Sequence, residues 1–516
     1  MPFRSVPVFL FLFSLLSASH SQPLRGVFID CGATVPSLIE GRQWLPDAEF
    51  TAAGTPKPLT ISVLSPILSN VRSFRSTQNL RRKFCYVIPA YRTGKYLIRT
   101  TYFYGGINGH DLPPVFDQIV DGTFWGVVNT TEDYLRGTAS YYEGVFVAQT
   151  KTISVCVAAN AYTDSDPFIS AVEVVALADS LYNSTDFGRF GLSLVARHSF
   201  GYGGPIIRYP DDTFDRFWEP FGENSSTISG ARNVSVSGFW NLPPLKIFHT
   251  ELTTTQPGPM ELQWPQTSLP NSTYYIALYF ADDQDSSSGN SRVFNISIND
   301  VNYYQDLNVN PEGSVVFANQ WPLTGLTKIT MAPTPGSKIG PLIHAGEVFD
   351  VLVLGGRTLT RDVIALEQIK QSFQNAPLDW NGDPCLPLQY TWTGVTCSGG
   401  PRIRVVTLNL KSMGLAGTLS PYLANLTAAT DIYLGNNSLS GTIPDLSRLK
   451  GLQTLHLEDN QLSGEIPTSL GNIDNLHELF LQGNNLTGQV PNNLIGKPGL
   501  DLKTSPGNQL LSPPHS

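Results

Sequence analysis

A pattern that returns every 23 or 24 residues constrains the C-terminal part of this chain more tightly than anything else in it. Leu408-x-Leu410, Ile432-x-Leu434, Leu455-x-Leu457 and Leu479-x-Leu481 each point two apolar side chains to one face of a short strand. Leu415, Leu439, Leu462 and Leu486 follow, then Gly417, Gly441, Gly464 and Gly488. Ile443-Pro444, Ile466-Pro467 and Val490-Pro491 complete the last three copies. Asn437, Asn460 and Asn484 recur at one position, where the first copy has Met413. An asparagine there can bond neighbouring backbone groups and tie one coil to the next. Several residue types holding register over four copies mark a solenoid, whose coils stack because none can bury its apolar face alone. Residues flanking the inward leucines then line the concave side. Asp431, Glu458 and Glu478 are among them, and Tyr433, His456 and Phe480 fall at equivalent places on successive coils. Aromatics aligned on a rigid exposed face are enriched at protein interfaces. Ordinary surface tolerance is the competing account.

The larger N-terminal part nearly repeats itself. Tyr96–Tyr102 aligns with Tyr274–Phe280, and Val115–Ile119 with Val293–Ser297, both at an offset of 178 residues. Pro167–Val174 matches Pro341–Val348 at an offset of 174. Three segments at a near-constant offset imply two copies of one domain. Each segment is short, β-branched or aromatic, and bounded by Gly, Asn, Asp or Pro, which is the form of antiparallel strands in a sandwich. The first helical period comes later, at Val363, Leu366, Ile369 and Phe373, with Thr360 placed as N-cap and Asp362 in the first turn.

Routing signals open the chain. Arg4 precedes an apolar run from Val6 to Leu16, and small residues at Ser19 and Ser21 fit cleavage before Gln22. That run is shorter than a bilayer span, and no later run reaches the length of one. The mature chain is therefore expected outside the cell, in soluble form and without a membrane span of its own. Nine N-x-S/T sequons agree with secretion: Asn129, Asn183, Asn224, Asn233, Asn271, Asn295, Asn425, Asn436 and Asn485. Lys plus Arg against Asp plus Glu gives 33 − 42 = −9 with no basic block, which argues against a nucleic-acid partner. Of five cysteines, Cys385 and Cys397 close a short loop directly before the repeats and are expected to bond, with Trp380 and Trp392 packing over the first coil. The pairing of Cys31, Cys85 and Cys156 stays open.

Ile29-Asp-Cys-Gly32, Phe84-Cys-Tyr86, Tyr104-Gly-Gly106, Pro114-Val-Phe-Asp117, Arg208-Tyr-Pro-Asp-Asp-Thr-Phe-Asp-Arg216 and Asp379-Trp-Asn-Gly-Asp-Pro-Cys385 carry a resemblance. With the repeats, they make the chain similar to ectodomains of plant malectin-like, leucine-rich-repeat receptor kinases of the symbiosis-receptor type. No kinase follows Ser516, so the chain also resembles the kinase-free relatives described as diglucose-binding leucine-rich proteins. The resemblance implies a mostly β fold of tandem malectin-like sandwiches, a short helical linker and a plant-type leucine-rich solenoid. The expected division is a signal peptide over 1–21, subdomains over 22–180 and 181–356, linker and repeat cap over 357–400, four repeats over 401–496, and a tail over 497–516.

The malectin name brings sugar binding as an implied function, and Tyr102, Tyr104, Tyr141 and Tyr142 are the aromatics that could face a pyranose ring. Alternating aromatics in strands also fill sandwich cores, and a peptide is as good a ligand. Asp211, Asp212 and Asp215, and Asp282, Asp283 and Asp285, are the acidic clusters. They read as turn residues and solvated loop charge rather than as a calcium site or as the facing carboxylates of a glycosidase. No metal-ligand spacing, nucleophile elbow or phosphate loop appears, so neither cofactor nor catalysis is expected. The functional expectation is a non-enzymatic recognition module for a cell-wall glycan or secreted peptide, working with a larger membrane receptor. The alternative is a leucine-rich inhibitor or adaptor of a wall enzyme, with a glycosidase a distant third.

Overall fold

The computed structural model describes residues 26–510, apart from 62–64, 76–81, 223–226, 230–233, 235, 237, 255–257, 283–291 and 336, and describes 227–229 by backbone alone. The signal peptide and the sequons at Asn224 and Asn233 lie outside the described residues.

The duplicated segments form two β-sandwiches that share a sheet. Eleven strands run through both copies in one continuous layer. In the first copy the neighbours are Gly26–Asp30, Ala171–Ala176, Lys95–Tyr102 and Ser140–Val147. In the second they are Phe190–Phe200, Ala345–Val353, Leu269–Phe280 and Ser314–Gly325, in the same structural order. The seam is the antiparallel pairing of Ser140–Val147 with Phe190–Phe200, through Gly144 opposite Ser193 and Val145 opposite Leu192. A four-stranded outer sheet closes each copy. Lys83–Pro89, Thr152–Ala159, Phe116–Val120 and Thr123–Val128 make the first, and Met260–Gln263, Lys328–Pro333, Arg292–Ile298 and Val301–Val309 the second. The strands that aligned in sequence thus occupy corresponding places, and the alternating apolar residues of facing sheets fill a core in each copy.

The helix Thr360–Ser372 is more than a linker. Ala365, Leu366 and Ile369 on its buried face, with Phe373, join the core of the solenoid leucines. It walls off the first coil, which would otherwise expose its inward side chains. The expected N-cap fails: Thr360 is the first helical residue, Leu359 precedes it, and no side chain caps the end. Asp362 is directed into the solenoid instead, buried, accepting from Arg404 Nε at 2.8 Å and Val405 N at 3.0 Å.

The solenoid strands Val405–Asn409, Asp431–Tyr433, Thr454–His456 and Glu478–Phe480 pair in parallel, with Val395–Cys397 antiparallel at the first edge. A fifth strand, Asp501–Lys503, extends the sheet through residues expected to be a tail. Leu500, Leu502 and Leu510 pack on the core there, and Asn508 continues the asparagine positions. The period hides this coil because Asn508 follows Leu502 by one residue more than Asn484 follows Leu479.

Candidate functional site

Parallel pairing places outward side chains of successive coils side by side on the concave face. Tyr433 lies opposite His456, and His456 opposite Phe480. The Tyr433 and His456 rings meet edge to face, 5.0 Å between centroids at 88°; His456 and Phe480 stack at 4.1 Å and 17°. Lys503, from the coil the sequence period missed, sets its ammonium 3.8 Å from the Phe480 centroid. The result is a stiff half-buried ridge.

Carboxylates flank that ridge on both sides. Asp431, Glu478 and Asp501 line one column, and His456 Nε2 lies 3.0 Å from Glu478 Oε2. On the other side Glu458 is buried and accepts from Lys411 Nζ at 2.9 Å. Its carboxylate lies across Gly435, where any Cβ would collide with it. The six residues predicted for this face do share one surface, and Lys411, Asp501 and Lys503 complete it. The last two were missed because the residues after 496 were expected to be a tail.

The four tyrosines proposed for sugar do not form one exposed group. Tyr102 is buried, with its ring against Phe116, Tyr142 and Phe168. Tyr104 is buried against Tyr134 and Phe168. Tyr142 is half-buried, its hydroxyl accepting from Asn129 N at 3.0 Å. Tyr141 points to the opposite face of the strand, where its hydroxyl meets Glu219 and its ring Phe217. Burial holds the Tyr102 and Tyr141 phenols well above their ordinary pKa. Tyr102 and Tyr104 are thus core side chains, while Tyr141 and Tyr142 are half-buried on opposite faces of their strand.

The acidic clusters also need correction. Asp211 is exposed and pairs with Lys246 at 2.8 Å, as loop charge would. Asp212 and Asp215 are buried: Asp212 binds Arg216 Nε at 2.9 Å and Trp218 Nε1 at 2.8 Å, while Asp215 meets Arg42 at 2.6 Å, Arg208 at 3.1 Å and Arg99 at 3.2 Å. Asp282 is buried against Arg292 at 2.7 Å; Asp283 and Asp285 lie outside the described residues. Nearby arginines, Arg208, Arg216 and Arg292, and two remote ones, Arg42 and Arg99, turn inward onto these acids and account for the difference.

Cys385 is bonded to Cys397, and Cys85 to Cys156; Cys31 is a buried free thiol. Trp380 and Trp392 stack at 5.2 Å in the same core as Leu408 and Leu410. Of the sequon asparagines, Asn129, Asn183, Asn271, Asn436 and Asn485 are exposed, while Asn295 and Asn425 are half-buried. Among the described residues no helix is long and apolar enough to cross a membrane.

Comparison with known proteins agrees with this architecture. The malectin-like domain family matches residues 29–351, the leucine-rich-repeat N-terminal domain 359–398, and the leucine-rich repeat 451–473 and 475–496. The leucine-rich repeat receptor-like serine/threonine-protein kinase At2g14510 of Arabidopsis thaliana is 31% identical over 443 residues, covering 80% of this chain and 48% of the relative. The uncharacterized protein At1g24485 of the same plant is 31% identical over 355 residues, covering 67% of this chain and 68% of the relative. The chain spans about half the length of the receptor-kinase relatives it matches. Among solved structures, the ANX2 ectodomain of Arabidopsis thaliana superposes with a TM-score of 0.51 at 17% identity, over 63% of this chain and 97% of that one. A complex of the plant peptide RALF23 with FER and LLG2 gives a TM-score of 0.51 at 17% identity, over 63% of this chain and 95% of that one.

Proposed function

The chain belongs to the malectin-like domain family, with leucine-rich repeats after that domain, and on this premise we propose that it is a secreted, non-enzymatic recognition protein whose solenoid docks a peptide or protein partner. The observation that carries the reading is the ridge of Tyr433, His456 and Phe480 on the concave face. Rings already stacked lose little side-chain freedom on binding, and aromatic anchors with a polar surround supply much of the affinity at protein interfaces. The burial of Tyr102 and Tyr104 favours a polypeptide over a glycan as ligand. The peptide named in the FER complex supports the same choice of ligand class, through likeness of fold alone. A receptor with a membrane anchor is the natural second partner, since relatives in this family are receptor-like kinases. The exposed sequon asparagines fit passage through the secretory pathway.

The triple variant Tyr433→Ala/His456→Ala/Phe480→Ala tests the proposal, because none of the three points into the leucine core. A panel of secreted plant peptides and receptor ectodomains, measured by biolayer interferometry, should include a ligand that the wild type binds and the variant binds at least about tenfold more weakly. Equal binding of every ligand by both proteins, with melting temperatures matched, would reject the concave face as the docking surface. A ligand of a secreted wall enzyme class captured through the same ridge would favour the inhibitor reading.

A further inference from the structure

A cavity of about 960 Å³ opens in the first sandwich, away from the solenoid. Its walls come from the loop after the first strand and from Pro56, Pro58, Ser65, Pro66, Ser69 and Asn70. That volume is in the range of small-ligand sites. Pro56, Pro58, Pro66, Val35 and Leu38 make much of the wall apolar, and Asp30 and Glu40 are the charged residues on it; no Lys, Arg or His lines it among the described residues.

Asp30 stands out among these residues. It is 4% exposed, and its Oδ1 has no hydrogen-bond partner among the described residues. The Oγ of Ser37, on the same wall, is buried and without a partner as well. Buried polar atoms are nearly always satisfied, so two unmet oxygens on side chains of one cavity wall mark a place where a hydrogen-bond donor is missing. Asp47, the carboxylate that acts on Asp30, is itself engaged: Arg72 clamps it with bonds from Nε and Nη2 of 2.5 Å each. Tyr86 also donates to Asp47, at 3.1 Å, and Cys31 lies buried beside them. Glu40 is drawn toward Arg208 at 3.5 Å. An anion would meet two carboxylates and no positive side chain among the described lining residues.

We propose that this cavity binds a cationic nitrogen carried on an apolar stem, either a lysine- or arginine-like side chain or a simple alkylamine, with Asp30 as the acceptor. The stem lies against the prolines and Leu38, and the cation supplies the donors that Asp30 and Ser37 lack. Burial first, and Asp47 second, push the Asp30 carboxyl up to about 7, so a bound cation would draw a proton off it. The site is independent of the concave ridge, so either proposal can fail without the other.

The test is calorimetric titration of the full chain with acetyl-arginine amide and with n-hexylamine. Their neutral counterparts are acetyl-citrulline amide and 1-hexanol. The cations should bind at least about tenfold more tightly than their counterparts, as a charge-assisted bond to a buried carboxylate implies. Their affinity should rise between about pH 6 and pH 8, as Asp30 ionises near its pKa of about 7. Asp30→Asn should erase the preference for charge. Leu38 is 77% exposed at the rim, so Leu38→Lys should weaken cation binding while leaving the melting temperature unchanged. Binding of the amine alone, or of the arginine derivative alone, supports the site and names its source. Binding of neither cation overturns the proposal, as does equal binding of neutral compounds or an unaltered preference in Asp30→Asn.

Discussion

Arg99 is wholly buried, and three carboxylates close on it: Glu143 at 2.7 Å, Glu173 at 3.0 Å and Asp215 at 3.2 Å. Strand register explains two of them, since Arg99 lies directly opposite Glu143 on one side and Glu173 on the other. Arg197 repeats the device across the seam, pairing with Glu143 at 2.6 Å and Glu347 at 2.9 Å. With Arg42 and Arg208 on Asp215, four arginines face four carboxylates. Burial alone would raise the Asp215 pKa; Arg99 and Arg208 outweigh it and hold the group down to about 2. Desolvating such ions is costly, and removing one partner strands the rest. Arg99→Met should therefore destabilise the protein by about 3–5 kcal/mol. Arg136→Ala, at an exposed pair, should change stability by less than about 0.5 kcal/mol. Urea denaturation of the two variants checks both values. The motif Arg208–Arg216 was visible in the sequence as a cluster of acids. Its role as the clasp of a buried network was not, because Arg42 and Arg99 reach it only through the fold.

The solenoid coils are tied by their asparagines, an effect of the element rather than of any one contact. Asn460 donates to Leu434 O, Leu457 O and Glu458 O at 3.0–3.2 Å and accepts from Leu439 N at 2.9 Å. Asn437 and Asn484 repeat the pattern, and Asn508 donates to Leu481 O at 2.8 Å and accepts from Leu486 N at 2.9 Å. Each side chain thus satisfies backbone groups of two coils that the tight turns leave without partners. Asn460→Ala leaves several buried groups unmet, and a loss of about 2–4 kcal/mol is expected. Asn508→Ala, at the end of the described ladder, should cost less because Asn508 is half-buried where Asn460 is buried. Comparison of their denaturant midpoints tests the ordering, and an equal cost would show that burial of the asparagine does not set its contribution. The three sequence-visible asparagines and the period were enough to place this element. The fifth coil escaped because its loop carries one extra residue.

The β module and the solenoid are joined as one body. Lys83 Nζ donates to the carbonyls of Asp383, at 2.5 Å, and Leu386; the Tyr390 hydroxyl donates to Asp117 at 2.6 Å. Gly122, at φ +79°, passes so close to Leu386 and Asp383 that a side chain would push the cap away. Next to it Asp121 accepts from Ser154 N at 2.6 Å, and burial pushes its carboxyl up to about 6. A carboxyl whose pKa is raised on folding binds its proton more tightly in the native state. Its contribution is fully present below about pH 4 and is lost as pH rises toward 6. Raising the carboxyl from its ordinary value near 4 to about 6 corresponds to about 3 kcal/mol. Asp121→Asn should flatten the fall in stability between about pH 4 and pH 6 while keeping the bond from Ser154 N. Urea midpoints across that interval read the slope, and an unchanged slope would show that Asp121 titrates normally.

Local pattern determined much of this molecule. Inward leucines recur because each coil needs the next to bury them, and strand segments recur because a sandwich layer demands alternating apolar residues. Period and offset alone therefore located the solenoid and the duplication, and the aromatic column followed from the period. Only the tertiary structure decided that the two sandwiches share a sheet, that the helix is a wall of the first coil, and that Tyr102 and Tyr104 are core. It also decided that the acids of the Asp211–Asp215 loop differ, one solvated and two clasped by arginine. The physical reason is common to all four. Burial and charge pairing depend on which distant segments meet, and a linear pattern carries the demand for a partner without naming it.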